Sequence, residues 1–312
     1  MMRRYKAALL GYYGFGNLGD ELLLESCIGI LEKQGISRGQ IIVLSNSPNE
    51  TSGNFHVESV NRWKIREIIH ALRNSESLVL GGGGLFQDST SVKSCVWYWG
   101  IVRLAKFFGC KVIALGQSFG PLKSKLSIML TRNALNSCTS IHVRDEPSYD
   151  IAVKSKCRSV TLGSDIVMML KPETLNHRNE YIIVNLRKNF LVDNFIRIIK
   201  PHIEHAKIKG AALSDEDIEP LSRIMNHNDI VRVKTFHDAQ ELWQGAYSAL
   251  GMRLHFGVLS RIFRVPLALM PYDVKVSEFA KQSGVPCIVD SYAEPVMPRD
   301  IPDDIYSEIK AL

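Results

Sequence analysis

The charged and titratable side chains best suited to chemistry lie in residues 249–276. Arg253 and His255 follow an apolar run, and Lys275 lies in a polar stretch after a second apolar run, residues 266–270. An imidazole can transfer a proton near neutral pH, whereas guanidinium and ammonium groups bind phosphate or carboxylate. This stretch therefore predicts an anion site with its own proton donor.

The elements that must position these groups follow from the spacing of apolar residues. That spacing predicts a helix over residues 254–263, with Arg253 and His255 at its N-terminus, and a buried strand over residues 266–270. In an open α/β sheet, the loops that leave the carboxyl ends of the strands form the ligand crevice, so Lys275 can converge with the pair on one anion. Each residue alone also fits a structural role, with His255 as a hydrogen-bonded core histidine and Lys275 as a solvated lysine.

Length and composition predict a soluble globular protein with two cores. The chain has 312 residues, of which 46% are hydrophobic and 22% are charged. The net charge of +6 is modest and no dense Lys/Arg run is present, which argues against a nucleic-acid partner and favours anionic substrates or an anionic membrane surface. The oligomeric state stays open.

Six cysteines are scattered without C-x-x-C spacing, so they are expected to be reduced thiols and not metal ligands. The N-terminus has the pattern of a first strand and not that of a signal peptide, and no run reaches 18 apolar residues. A cytoplasmic location is the resulting expectation.

A glycine-rich loop follows the strand predicted over residues 7–12 and precedes a helix predicted over residues 22–34. Its candidate ligand-contacting residues are Gly14, Gly16, Asn17 and Asp20. The loop matches G-x-G-x-x-G, but the acidic residue expected after the next strand, residues 41–44, is absent. Asp20 and Glu21 would also repel a pyrophosphate, so a nicotinamide cofactor is disfavoured.

Four consecutive glycines follow the strand predicted over residues 78–80. They favour a close approach of the backbone to a ligand over a merely tight turn. The candidate binding residues here are Gly82, Gly83, Gly84, Gln87 and Asp88. The aromatic helix predicted over residues 96–108 favours core packing.

Two further strands, residues 111–115 and 140–143, lead to Gln117 and Arg144. Arg144 fits either a salt bridge to Asp145 or Glu146, or a bidentate clamp on a phosphate or carboxylate.

The polar, proline-bearing residues 171–180 interrupt the alternation of strands and helices, which predicts domains over residues 1–172 and 181–312 with a linker over 173–180. The second half is predicted to contain strands over 181–186, 211–213 and 229–233, helices over 190–206, 217–225, 240–247 and 276–282, and a short tail helix over 303–310. Alternation of this kind predicts an α/β fold of two doubly wound, Rossmann-like domains facing a cleft.

Six segments of the sequence resemble the polysaccharide pyruvyl transferases, including the enzymes that ketalise cell-wall polymer precursors. The matching segments are residues 11–21, 81–91, 116–121, 143–145, 251–255 and 272–275. The resemblance implies a fold like that of the glycosyltransferase-B enzymes, phosphoenolpyruvate as donor and a sugar diol as acceptor, without a cofactor. It further implies that Arg144, His255 and Lys275 are active-site residues, with Arg253 beside them.

The sequence departs from the family pattern at two places. The segment from Gln117 lacks a glycine that usually follows the glutamine, and Val274 stands where a proline is usual. Both departures are expected to alter the fit of the acceptor more than the chemistry.

Ketal formation needs a proton for the enol methylene and cations for the phosphate and carboxylate. His255 suits the first task, and Arg144, Arg253 and Lys275 suit the second, so Arg144 of the acceptor-side N-terminal domain should face His255 of the donor-side C-terminal domain. Lipid-linked acceptors, usual in the family, add peripheral contact with the inner face of a membrane as an expectation. Two alternatives remain, a nucleotide-sugar-dependent glycosyltransferase of the same fold and a non-catalytic sugar-binding protein.

Overall fold

The computed structural model describes residues 3–89 and 91–302, which divide into two compact units. Residues 3–15 and 20–169 form the first unit, and Gly16–Gly19 with Leu170–Pro302 form the second. The helix expected over residues 303–310 lies outside the described residues. The short segment Gly16–Gly19 groups with the second unit, and no sequence pattern indicated this.

A parallel sheet of seven strands forms the centre of the first unit, in the order β3-β2-β1-β4-β5-β6-β7. The strands are Tyr5–Leu10 (β1), Ile41–Ser45 (β2), Glu58–Asn61 (β3), Ser75–Gly83 (β4), Lys111–Gln117 (β5), Ser140–Val143 (β6) and Val160–Leu162 (β7). The central strands are almost continuously apolar and buried, as a parallel sheet covered on both faces requires.

Six helices accompany this sheet: Leu18–Lys33 (α1), Pro48–Phe55 (α2), Ile65–Arg73 (α3), Val92–Phe107 (α4), Lys125–Leu135 (α5) and Glu146–Lys154 (α6). Three of them, α2, α3 and α5, were not predicted from the sequence, and neither was β3. In α3 the buried residues Ile68, Ala71 and Leu72 follow helical spacing, so a usable signal was present. Strand β4 extends to Gly83, so most of the glycine run is strand and not loop.

A five-stranded parallel sheet in the order β10-β9-β8-β11-β12 forms the centre of the second unit. Its strands are Tyr181–Asn185 (β8), Ile208–Ala212 (β9), Ile230–Arg232 (β10), Ala246–Gly251 (β11) and Leu267–Leu269 (β12). Its helices are Val192–Ile203 (α7), Ile218–Leu221 (α8), Phe236–Gln244 (α9), Leu254–Ile262 (α10) and Val274–Ser283 (α11).

Two helix predictions in this unit differ from the structure by four residues at one end. The helix expected over residues 240–247 starts at Phe236, because Thr235 accepts a hydrogen bond from the Asp238 backbone N–H, and it ends before Tyr247, which lies in β11. The helix expected over residues 217–225 is a single turn, Ile218–Leu221.

Adjacent strands end at the same level in both sheets. Gly83 pairs with Gln117, which pairs with Val143. In the other sheet Gly251 pairs with both Asn185 and Leu269. Residues that directly follow these strands therefore share one edge of their sheet. Among the helices of residues 3–89 and 91–302, none has the length and apolar character to cross a bilayer.

Candidate functional site

The carboxyl edge of the second sheet holds three of the predicted site residues. Arg253 directly precedes α10, and His255 lies in the first turn of that helix. Lys275 lies in the first turn of α11 and not in a loop, because the side chain of Asp273 caps the helix by accepting the backbone N–H of Val276 at 3.1 Å. Strands β11 and β12 thus deliver all three groups to one edge.

Arg253 is buried and held by acidic partners. Its Nε lies 2.7 Å and 2.9 Å from the two carboxylate oxygens of Asp217, and its Nη2 lies 2.6 Å from one of them. Nη2 also donates to Ser214 Oγ at 2.6 Å and to Glu216 Oε1 at 2.8 Å. The hydrogen bond from Arg253 is the main reason that the pKa of Glu216 is lowered.

Asp217 also organises the backbone around it. One of its oxygens accepts the backbone N–H groups of Leu213 and Ser214 at 3.0 Å and 3.2 Å. Asn185, at the end of β8, accepts the backbone N–H of Arg253 at 3.0 Å. These bonds tie β8, β9 and the start of α10 together, so the Arg253 side chain holds the shape of this edge while its charge is compensated by a carboxylate.

The ring of His255 lies directly against the backbone of Gly19. A Cβ atom at position 19 would lie 2.0 Å from His255 Nδ1, far inside van der Waals contact. Leu18 donates its backbone N–H to Leu213 at 2.9 Å, and Gly16 accepts a hydrogen bond from Arg232 at 2.5 Å. Glycine is therefore required at position 19 by the imidazole and not by a pyrophosphate.

Asn17, the remaining candidate in this segment, is half-buried.

Arg187 and Tyr272 form a pair at the same edge that the sequence analysis missed. Arg187 follows β8, and its Nη1 donates to the Tyr272 hydroxyl at 2.5 Å, with the guanidinium carbon 4.8 Å from the ring centroid. Burial raises the pKa of Tyr272, so the phenol is neutral. Within the described residues Arg187 has no ion pair with a carboxylate. The signal in the sequence was the one used for Arg144, an arginine at a strand exit.

In the first unit, Arg144 follows β6 and forms a buried ion pair. Its Nη1 lies 2.6 Å from Asp165 Oδ2, and the two side chains are 6% and 4% exposed. The partner is thus Asp165, and neither of the acidic neighbours considered from the sequence. Asp145 instead caps α6 by accepting the Ser148 backbone N–H at 2.9 Å.

The backbone links Arg144 to the neighbouring strands. Its N–H donates to the Gln117 carbonyl at 3.1 Å, and the N–H of Ser118 donates to the Gly83 carbonyl at 2.9 Å. Gln117 is fully buried, donates to the Leu80 carbonyl at 3.0 Å, and has no described hydrogen-bond partner for Oε1. The structure therefore brings the predicted residues Gly83, Gln117 and Arg144 together.

Side chains of α1 approach the glycine run closely. Gly82 and Gly83 have φ values of +75° and +82°, which other residues rarely adopt. A Cβ on Gly82 would lie 2.5 Å from the Leu23 side chain, and one on Gly83 would lie 3.4 Å from Asp20 Oδ1. Packing and backbone conformation thus account for these two glycines, whereas the sequence favoured the approach of a ligand. Gly84 is partly exposed.

Gln87 and Asp88 order the loop after β4. Gln87 Oε1 accepts the backbone N–H of Ser89 at 3.0 Å. Asp88 accepts the backbone N–H groups of Lys123 at 2.8 Å and Ser124 at 2.7 Å, and the bond from Ser124 is the main cause of its lowered pKa.

Gly14 adopts a φ of +76° and donates its N–H to Glu21 Oε1 at 2.8 Å. Burial raises the pKa of Glu21 to about 7, against the effect of that hydrogen bond. Glu21 can therefore exchange a proton near neutral pH. From the sequence, Glu21 was interpreted only as a charge that would repel a pyrophosphate.

Among the residues that the structure describes, no group of three His, Cys, Asp or Glu side chains is placed to hold a metal ion.

A model of the polysaccharide pyruvyl transferase family matches residues 17–274. The chain belongs to that family. The match includes Arg144, Arg187, Arg253 and His255 and ends one residue before Lys275. The family is one of transferases that act on polysaccharides. No curated protein sequence matches the chain.

Solved structures of the glycosyltransferase-B type share the fold of two parallel sheets. The UDP-GlcNAc 2-epimerase of Methanocaldococcus jannaschii has a TM-score of 0.59 at 13% identity, with 91% of this chain and 88% of that chain covered. The UDP-GlcNAc 2-epimerase of Neisseria meningitidis bound to UDP-GlcNAc has a TM-score of 0.58 at 11% identity, with 92% of this chain and 88% of that chain covered. A glycosyltransferase of Rickettsia africae has a TM-score of 0.54 at 9% identity, with 93% of this chain and 85% of that chain covered.

Proposed function

We propose that the protein transfers the pyruvyl group of phosphoenolpyruvate to two hydroxyls of a saccharide, forming a pyruvate ketal and releasing phosphate. One observation carries this proposal. Three adjacent strands of the second unit are followed by Arg187, His255 and Lys275, which puts a proton carrier and two cations along one edge. Membership of the pyruvyl transferase family supplies the class of group transferred.

Phosphoenolpyruvate carries a phosphate and a carboxylate, so its site needs cations that are not already neutralised. Arg187 meets this need better than Arg253, because Arg253 is bound to Asp217 whereas Arg187 donates to a neutral phenol and forms no ion pair with a carboxylate among the described residues. In the proposal, Arg187 and Lys275 bind the donor anions. Arg253 positions the N-terminus of α10 and thereby His255.

His255 then protonates the methylene carbon of the donor, which becomes a methyl group as C2 becomes electrophilic. One sugar hydroxyl attacks C2 and loses its proton, and the C2–O bond to phosphate breaks. The second hydroxyl closes the ketal at the same carbon and loses its proton in turn. Cations that bind the phosphate stabilise it as it leaves, so all the charge compensation comes from side chains. The reaction is proposed to need no cofactor.

Arg144 of the first unit directly follows β6 at the carboxyl edge of its own sheet. Its ion pair with Asp165 compensates about one charge, but a guanidinium has five N–H donors, more than one carboxylate can accept. It is therefore proposed as an additional anion ligand, weaker than Arg187.

The surface of α5 supports peripheral contact with a membrane that carries lipid-linked acceptors. Leu126, Ile128 and Met129 on this helix are exposed, and the helix contains no acidic residue. Lys125 and Arg132 flank the apolar side chains and are exposed too. An apolar face rimmed by cations is complementary to an anionic bilayer. Contact with the inner face of such a membrane is the proposed location.

A nucleotide-sugar glycosyltransferase is the second candidate, and the similarity to structures that bind UDP-GlcNAc favours it. The two functions differ in donor. Purified protein should release phosphate from phosphoenolpyruvate when supplied with a panel of aryl β-galactosides and β-hexosaminides, and EDTA should not stop it. Release of UDP from a UDP-sugar, with none of phosphate from phosphoenolpyruvate, would instead establish the glycosyltransferase. Sugar binding without either release would indicate a non-catalytic protein.

A further inference from the structure

A buried arginine in the first unit has no acidic partner. Arg62 is 2% exposed, donates to the Gly11 carbonyl at 2.5 Å and donates to the Tyr98 hydroxyl at 3.1 Å. Its Nε–H has no hydrogen-bond partner, and within the described residues no carboxylate forms an ion pair with it. Burying a cation without a counter-ion is unfavourable, so the position of Arg62 requires a compensating environment.

Five aromatic rings provide that environment, and we call them the aromatic platform. The guanidinium carbon lies 4.3–5.9 Å from the ring centroids of Tyr12, Phe15, Trp63, Trp97 and Tyr98. Contacts of this kind stabilise a desolvated cation. The rings also contact each other: Tyr12 stacks on Phe15 with centroids 3.9 Å apart, and Trp63 lies 5.5 Å from Trp97.

Two of the rings face solvent although they belong to this cluster. Trp63 is 57% exposed and Tyr12 is 45% exposed. The indole N–H of Trp63 donates to Asn46 Oδ1 at 2.8 Å. That bond and the contacts with Arg62 hold the exposed indole in one orientation, so its surface is preorganised rather than mobile.

The platform lies at the carboxyl edge of the first sheet. Tyr12 comes two residues after β1, Asn46 directly follows β2, and Trp63 comes two residues after β3. These three strands are adjacent in the sheet. Ligands of open parallel sheets bind at this edge, so the exposed rings lie where a substrate is expected and not on an arbitrary surface.

From these observations we infer that the aromatic platform is a saccharide subsite, on which a sugar ring of the acceptor stacks against Trp63 and Tyr12. A pyranose offers a face of C–H groups that suits the negative face of an aromatic ring, while its hydroxyls need donors and acceptors around it. The half-buried Asn46 and the exposed hydroxyl-bearing ring of Tyr12 provide such groups. The identity of this sugar as acceptor rests on the proposed function, whereas the binding itself does not.

Binding is tested first, without donor. Chitobiose, methyl β-D-galactopyranoside and methyl N-acetyl-β-D-glucosaminide are titrated into ¹⁵N-labelled protein, and the indole signal of Trp63 is assigned by its loss in Trp63→Phe. At least one sugar should shift that signal, and Trp63→Ala should weaken its binding at least tenfold. Tyr12→Ala should also weaken it.

Phe107→Ala is the matched control. Phe107 is 81% exposed and belongs to the same unit, but it is the last residue of α4, which returns to the opposite edge of the sheet before β5. Its removal should leave sugar binding unchanged.

Turnover measurements then test the proposed function separately from the sugar-binding inference. If the protein releases phosphate from phosphoenolpyruvate with an active acceptor, Trp63→Ala should raise the acceptor KM at least tenfold and leave the donor KM within about twofold. If no phosphate is released with any acceptor, the proposed function fails, but the titration still decides the subsite.

Three results would each overturn the inference. The first is that no sugar of the panel shifts the Trp63 signal, and the second is that the Trp63→Ala and Tyr12→Ala variants bind sugar as tightly as the wild type. The third is that Trp63→Ala no longer floats with anionic liposomes but keeps its affinity for sugar. The last result would identify the platform as a membrane contact. Melting temperatures of the variants are compared with the wild type, and Trp63→Phe, which keeps a ring, should retain more affinity than Trp63→Ala at equal stability.

Discussion

Arg253 and Asp217 form a bidentate ion pair, with Nε and Nη2 of the arginine 2.6–2.9 Å from the carboxylate oxygens. Asp217 is fully buried and Arg253 nearly so. An arginine that the sequence marked as an anion clamp therefore already holds an anion that belongs to the protein. The first prediction follows from this pair.

Asp217→Asn should lower the free energy of unfolding by about 3–5 kcal/mol, because it removes the buried carboxylate and leaves only the more exposed Glu216 beside the guanidinium. Urea denaturation measures this loss. Asp215→Asn is the control, since Asp215 pairs with Arg232 but its side chain is 89% exposed, and such pairs contribute about 1 kcal/mol or less. Equal small losses in both variants would contradict the role assigned to Asp217.

His255→Gln should lower turnover by about 10²–10⁴-fold, because glutamine keeps hydrogen-bonding capacity but has no transferable proton. Affinity for phosphoenolpyruvate should change far less. Single-turnover phosphate release, with donor binding and the melting temperature measured on the same sample, checks this. A folded, donor-binding variant with full activity would remove the general-acid role.

Arg187→Ala and Lys275→Ala should each raise the KM for phosphoenolpyruvate at least tenfold and also lower kcat/KM, because both remove charge that binds the donor. Lys188→Ala provides the control, since Lys188 is exposed and adjacent in sequence. Steady-state kinetics over a range of donor concentrations makes the comparison. A KM for the Arg187 variant as low as that of the control would exclude Arg187 from the donor site.

Glu21→Gln should stabilise the protein more at pH 8 than at pH 5. The pKa of Glu21 is about 7 in the folded chain against an ordinary value of 4.5, so the folded state binds the extra proton between these values. Its contribution to stability is present below pH 4.5 and is lost as pH rises to 7 and above. Glutamine removes that loss and keeps an oxygen for the Gly14 N–H.

The measurement is the difference in melting temperature between variant and wild type at the two pH values, in which the titration of other groups cancels. Glu67→Gln should show almost no difference between the two pH values, because a hydrogen bond from the Asn61 backbone lowers the pKa of Glu67 and its contribution to stability is lost only as pH falls below 4.5. The same trend in both variants would show that the effect does not come from the burial of Glu21.

Ile128→Glu with Met129→Glu should reduce flotation with anionic liposomes, because charge replaces the exposed apolar face of α5. Soluble activity with an aryl glycoside should persist. Phe190→Glu, at an exposed aromatic position of the second unit, is the control and should float like the wild type. The membrane proposal would be contradicted if flotation were the same for variant and wild type and did not depend on the anionic lipid content.

Local pattern was enough to predict the class of fold and most strand ends. Apolar runs such as residues 140–143 coincide with β6, and the strand–helix alternation predicted parallel sheets that the structure confirms. Family motifs led to the pyruvyl transferases, which the match over residues 17–274 confirms. Both depend on short segments of chain, whose periodicity and turn residues are visible in the sequence itself.

Only the tertiary structure decided what each charged residue touches. Asp165 lies 21 positions after Arg144 and Asp217 lies 36 positions before Arg253, so no spacing rule links them, and the partners determine which cations stay available to a ligand. The aromatic surroundings of Arg62 could not be predicted from the sequence. They come from the ends of β1 and β3 and from α4, which meet only when the sheet forms. Charge compensation and burial are properties of three-dimensional neighbours, and the sequence encodes those neighbours only through the whole fold.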